Sequence, residues 1–92
     1  MTGRPRPYEV RLKPSAQRQL SALGRKDRRR IARTIDALAE NPRPRHARKL
    51  EGIEELYRVR CGDYRIIYQI QDQRLLVLVV RIRHRREAYR GL

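Results

Sequence analysis

The apolar positions change period twice within the first forty residues. Tyr8, Val10 and Leu12 alternate with Glu9, Arg11 and Lys13, a period of two that predicts a strand with one buried face. Pro14 ends that strand and can open a helix, because its missing N–H is not needed in a first turn. Ala16, Leu20 and Leu23 follow at helical spacing, and Gly24 is the expected C-terminal stop. Asp27 is the candidate N-cap of a second helix, whose Ile31, Ile35 and Leu38 fall at i, i+4 and i+7 and make one apolar stripe. Arg28, Arg29, Arg30 and Arg33 fill its other side, and Asn41-Pro42 ends it. Two short helices joined by "GRK" predict an antiparallel helical hairpin.

The connector "PRPRHARKLEG" is basic and has no apolar period. The remainder reads as β. Leu56 to Cys61 and Tyr64 to Ile70 predict a hairpin closed by a tight turn near Gly62-Asp63, and "QDQ" turns the chain again. Leu75 to Ile82 is apolar at odd and even positions alike, which predicts a central strand covered on both faces. The polar ending "RHRREAYRGL" fits a short strand, a turn of helix or a tail. No internal repeat is present. Residues 1–7 read as a basic flexible lead-in and 8–92 as one domain. The fold class is then α+β in the order β-α-α-β-β-β, with the helical hairpin packed on one face of an antiparallel-rich sheet.

Charge narrows the class of partner. Among 92 residues, 24 Lys+Arg stand against 10 Asp+Glu, a formal net charge of +14, and most of the cations are arginine. So basic a short chain points to nucleic acid or an acidic protein partner rather than a membrane. The longest apolar run, Leu75 to Val80, is too short to span a bilayer, and "MTGRPRPYEV" lacks the apolar core of a signal peptide, so a cytoplasmic protein is expected. The single Cys61 excludes an internal disulfide and a cysteine-rich metal site.

The strand alternation then sorts the arginines. In the first hairpin strand Tyr57, Val59 and Cys61 share one face, with Arg58 and Arg60 on the other. In the next, Tyr64, Ile66, Tyr68 and Ile70 share a face, opposite Arg65 and Ile67. If the apolar sets face the helices, Arg58, Arg60 and Arg65 project together on the far side, near Arg81, Arg83, His84, Arg85 and Tyr89. Such a surface is either a solvated sheet face or a site for an anion. Arginine binds phosphate in bidentate fashion. RNA cleavage by its own 2′-hydroxyl needs no metal and no protein nucleophile. It needs stabilisation of charge on phosphorus, which arginines supply, and proton transfer, for which Tyr89 and His84 are the candidates nearest in sequence. Paired-histidine motifs, a glycine-rich phosphate loop and a nucleophile elbow are all missing from the sequence, and neither metal nor cofactor is expected. The other histidine, His46, lies in the basic connector.

Three segments carry a resemblance to a known family: "KLxG" at Lys49–Gly52, "YRVRxGxYRIIYQI" at Tyr57–Ile70 and "HRREAY" at His84–Tyr89. In this order and at this chain length, over about residues 8–90, the sequence resembles the RelE toxins of the RelE/ParE superfamily. The resemblance implies a toxin of a type II toxin–antitoxin pair, held in a hetero-oligomeric complex by a cognate antitoxin. It implies an endoribonuclease that works without metal, cleaves mRNA in the ribosomal A site and leaves a 2′,3′-cyclic phosphate. The family's two basic residues on the first hairpin strand fall on Arg58 and Arg60, which would bind the substrate phosphate. Its next-strand arginine falls on Arg65, for the transition state. Its arginine beyond the last core strand falls on Arg85, for the leaving group or phosphate, and its C-terminal tyrosine on Tyr89, for base stacking or proton transfer. Lys49, Arg81, Arg83 and His84 extend the RNA-binding set. One departure stands out: the family's usual lysines are here arginines, which do not give up a proton. A ParE-type toxin acting on DNA gyrase and a non-catalytic RNA-binding module are the alternatives.

Overall fold

The computed structural model describes residues 7–50, 52 and 55–86. Strand β1 (Glu9–Leu12) leads into α1 (Pro14–Ser21) and α2 (Arg25–Ala37). Strands β2 (Arg48–Lys49), β3 (Leu56–Cys61), β4 (Tyr64–Gln71) and β5 (Leu76–His84) complete the sheet, with a single 3₁₀ turn at Asp72–Arg74 before β5. The sheet order is β1-β5-β4-β3-β2. Only β1 and β5 run parallel, Val10 opposite Val77; the other pairs are antiparallel. The α+β class, the helical hairpin and the hairpin strands are as the alternation predicts.

Period dictates what each element buries. From β3 to β5, Tyr57, Val59, Ile66, Tyr68, Ile70, Val77, Val79 and Ile82 turn to one side and meet Ala16, Ile31, Ile35 and Leu38 from the helical layer. Helix α1 lies on β5 and α2 against β3. Each such isoleucine or leucine gives about 1.5–3 kcal/mol on leaving water, so this single layer carries most of the driving force. Tyr68 is fully buried, and its hydroxyl donates to the Pro42 carbonyl at 2.7 Å, which satisfies the phenol and pins the connector to the core. Burial pushes the Tyr68 phenol up to about 12.

The connector is held by polar contacts that no apolar period announces. Arg43 donates to the Tyr57 hydroxyl at 3.0 Å and pairs with Asp72 at 2.8 Å, while the Tyr8 hydroxyl donates to Asp72 at 2.6 Å. The Arg43 guanidinium, followed by the Tyr8 hydroxyl, holds the Asp72 carboxyl down at about 2. Beyond this knot the chain adds β2, a strand absent from the expected order. Its two residues are both polar, and backbone pairing with Tyr57 and Arg58 defines it.

The helix junction also differs in detail. Helix α1 closes at Ala22, and Gly24, expected to stop it, is instead the N-cap of α2. Asp27 sits one turn deeper than an N-cap, in the first turn of α2, where the helix dipole favours a carboxylate. The Gly62-Asp63 turn is as expected. Of its two central residues only Gly62 has positive φ, the pattern of a type II′ hairpin with glycine first, and a Cβ there would come within 2.7 Å of the Arg30 guanidinium. Among the described residues no helix is long and apolar enough to cross a membrane.

Candidate functional site

The far side of the sheet, away from the helices, is ruled by arginine. Residues directly opposite on neighbouring strands share a face, and the register lines up two ranks. One rank runs Arg60, Arg65, Arg83 across β3, β4 and β5. The next runs Arg48, Arg58, Ile67, Arg81 from β2 to β5. Like charges placed directly opposite destabilise a sheet. A chain that places them so, on strands where threonine or glutamate would serve, has the form of a surface held ready for an anion.

Two devices aim these side chains. The first is the II′ turn, which sets Arg60 opposite Arg65. The second is a bulge in β5: Ile67 pairs with Arg81 but Tyr68 with Val79, so Val80 is extra. The bulge changes the phase of β5. Val77 and Val79 face the core before it, Ile82 faces the core after it, and Arg81 and Arg83 are thereby sent to the far side. It also explains the mixed parity of Leu75 to Ile82. The strand is central, as expected, but Leu76, Leu78 and Val80 are only half-buried, not covered. Past the end of β1, helix α1 takes over the edge of β5. Gln19 Oε1 accepts from the Ile82 N–H at 2.8 Å, and the Ser15 hydroxyl reaches the Val80 carbonyl at 3.5 Å.

Arg85 joins from beyond the strand. Its N–H donates to the Asp63 carbonyl at 2.7 Å, and its guanidinium lies 3.9 Å from the Asp63 carboxylate. That brings Arg85 beside Arg60 and Arg65 in a cleft of about 200 Å³, also lined by Gly62, Asp63 and Tyr64. A second open cleft of about 270 Å³ is lined by His46, Arg48, Arg58 and Arg60. Arg60 lines both of these clefts, together the cationic trough; a third cleft, lined by Asp63, His84, Arg85 and Arg86, shares Asp63 and Arg85 with the first.

Some candidates lie in rows that face the helices. His84 is opposite Tyr64, which in turn is opposite Cys61, and that row lies on the helix side. The Tyr64 and His84 rings meet edge to face at 5.2 Å, and His84 Nδ1 accepts from the Arg86 N–H at 3.2 Å. Cys61 shares this side, accepting at Sγ from the Thr34 hydroxyl at 3.3 Å. Lys49 is opposite Tyr57, also on the helix side, with its ammonium 3.3 Å from Glu55. Tyr89 lies outside the described residues. In the other direction, the structure adds Arg48 and His46, which the connector's lack of period concealed. Among the described residues no group of three or more His, Cys, Asp or Glu side chains is placed to hold a metal ion.

The sequence profile of the ParE toxin of the type II toxin–antitoxin system parDE matches residues 10–89. The chain belongs to the RelE/ParE superfamily of type II toxins. The mRNA interferase toxin RelE of Escherichia coli K12 is 31% identical over 78 residues, covering 80% of this chain and 81% of that protein. The toxin in the archaeal RelE–RelB complex of Pyrococcus horikoshii superposes with a TM-score of 0.78 at 31% identity, covering 86% of this chain and 96% of that one. The RelBE2 toxin–antitoxin complex of Mycobacterium tuberculosis gives a TM-score of 0.75 at 28% identity, over 85% and 98% of the two chains. Both the RelE-type fold and the RelE-type sequence are therefore shared along nearly the whole chain. Within that fold this toxin writes its trough in arginine, at Arg48, Arg58 and Arg60 as well as at Arg65, Arg81, Arg83 and Arg85.

Proposed function

We propose that this RelE-type protein is the toxin of a type II toxin–antitoxin pair and an endoribonuclease that cleaves mRNA on the ribosome. The observation that carries the reading is the double rank of arginines on one sheet face. Guanidinium groups set side by side in this way suit a phosphodiester, each offering a planar fork to two phosphate oxygens. Arg58 and Arg60 bind the scissile phosphate and its neighbour. Arg65, between Arg60 and Arg83, stabilises the extra negative charge that develops on phosphorus. Arg85, turned back over the Gly62-Asp63 hairpin, serves the leaving oxygen or its phosphate, Arg81 and Arg83 extend the backbone contact, and Tyr89 stacks on a base or takes part in proton transfer. In this reading the 2′-hydroxyl attacks phosphorus, the bond to the 5′-oxygen breaks, and a 2′,3′-cyclic phosphate and a 5′-hydroxyl result. No metal is required. The relatives solved as RelE–RelB and RelBE2 complexes support a cognate antitoxin, whose segment would cover the cationic trough and keep RNA out. Action on ribosomes would place the protein in the cytoplasm.

A reconstituted translation system with a programmed ribosome tests this. Mapped mRNA ends should fall in the A-site codon, and the cuts should vanish with Arg65→Ala and weaken with Tyr89→Phe. The second reading is inhibition of DNA gyrase, favoured by the ParE toxin profile that matches the chain. Intact mRNA with blocked gyrase supercoiling would establish it in place of the first.

A further inference from the structure

The arginines of the trough hold a phosphate but do not readily take a proton, since guanidinium stays protonated throughout the working range. Attack by a 2′-hydroxyl needs a proton acceptor within reach. Resting on the nuclease reading above, we infer that His46 is that acceptor.

Placement carries the inference. The turn from Pro44 to Ala47, closed by the Ala47 N–H on the Pro44 carbonyl at 2.9 Å, delivers the chain to β2. There Arg48 pairs with Arg58 and Lys49 with Tyr57. His46 lies within that turn, just before β2 begins, at the edge of the sheet. His46 lines the cleft with Arg48, Arg58 and Arg60, where the phosphate-binding roles fall. From the helix side α2 contributes Arg33 and Thr34 to a groove that His46 also lines, together with Asn41, Pro44 and Val59. The charged groups facing it are therefore Arg48, Arg58, Arg60 and Arg33. His84 lies against Tyr64, its Nδ1 accepts from the Arg86 N–H, and the cleft it lines with Asp63, Arg85 and Arg86 includes neither Arg58 nor Arg60.

Imidazole is the side chain that accepts and returns a proton near neutral pH. In the step, a ring nitrogen of His46 takes the 2′-hydroxyl proton as the 2′-oxygen bonds to phosphorus. The bond from phosphorus to the 5′-oxygen breaks, and that oxygen takes a proton from water. The imidazolium then returns its proton to solvent, so the transesterification is balanced.

The test is single-turnover cleavage of mRNA on programmed ribosomes, across about pH 5.5 to 8.5, by the full chain, His46→Gln and His46→Ala. Binding of a programmed ribosome whose A-site codon carries a 2′-deoxy nucleotide is measured alongside. The expected result is a loss on the order of 10²–10⁴ in rate for both variants, the range typical of a missing acid–base group. The acid limb of the pH profile should disappear with it, binding should stay within about two-fold, and added imidazole should restore part of the rate to His46→Ala. A His46→Gln protein that cuts at the parental rate with the parental pH profile overturns the inference and leaves the nuclease reading intact. So does a loss that imidazole does not relieve and that tracks weakened binding. Intact mRNA with the parental protein overturns the nuclease reading itself, and the inference with it.

Discussion

Arg60→Thr separates what the arginine face costs from what it does. Arg60 is exposed, sits directly opposite Arg65 and lines both halves of the trough. Opposed like charges in a sheet cost roughly 0.2–1 kcal/mol per pair, and threonine is well suited to a strand, so the variant should be more stable by that amount. For a domain of this size the gain raises the melting temperature by about 1–8 °C. The gain is electrostatic, so it should shrink as the Debye length falls from about 10 Å at 0.1 M salt to about 3 Å at 1 M. Cleavage should move the other way. Removing one preorganised donor from a site of developing charge typically costs on the order of 10²–10³ in rate, or about 2.7–4 kcal/mol. The assays are urea unfolding at low and high salt and single-turnover cleavage of mRNA. An Arg60→Thr protein less stable than its parent at low salt, or equally stabilised at 1 M, refutes the repulsion. One that is stabilised yet cuts at the parental rate refutes Arg60's place in the site.

Three further outcomes are expected. Gln19→Leu strips the Ile82 N–H of its acceptor, and an unsatisfied backbone donor there should lower stability by about 1–3 kcal/mol in urea unfolding. Tyr68→Phe removes the buried hydrogen bond to Pro42 and should cost about 1 kcal/mol at neutral pH. Because the folded phenol titrates near 12 rather than the ordinary 10.0, Tyr68 stabilises fully below pH 10 and loses that contribution as pH rises towards 12. The variant's alkaline stability curve should be flatter, as circular dichroism melts would read. Asp72 behaves in the opposite sense: its carboxyl is held at about 2 against an ordinary 3.8, so its contribution is present above about 4 and disappears as pH falls through 2. Asp72→Asn should flatten the melting temperature between pH 2 and 4.

Much of this was legible in the chain because most of its apolar sets, β5 apart, have one clear period. Ile31, Ile35 and Leu38 announce a helix face, and Tyr57, Val59, Ile66 and Tyr68 announce a strand face, so Arg58, Arg60 and Arg65 are assigned to the far side by exclusion. The connector offers no such handle. Arg43, His46 and Arg48 take their places from an ion pair, a turn and two backbone rungs, which no side-chain pattern encodes. The faces of Arg81, Arg83 and His84 could not be counted along β5 from the sequence. The bulge resets the alternation of β5, and a residue's face beyond it cannot be counted from Val77.

That bulge has a consequence for how such a surface changes over generations. If Val80 took a regular place in the ladder instead of bulging out, a strand in phase with Val77 and Val79 would drive Arg81 and Arg83 into the core and lift Ile82 out. Deleting Val80 does the opposite of harm to that pattern: Val79 would be followed directly by Arg81, and a plain strand would keep Arg81 and Arg83 on the far side and Ile82 in the core. The bulge thus absorbs one codon without disturbing either side of the sheet. A further single insertion or deletion elsewhere in the end of β5 has no such refuge, and would exchange the arginine wall and the core at once.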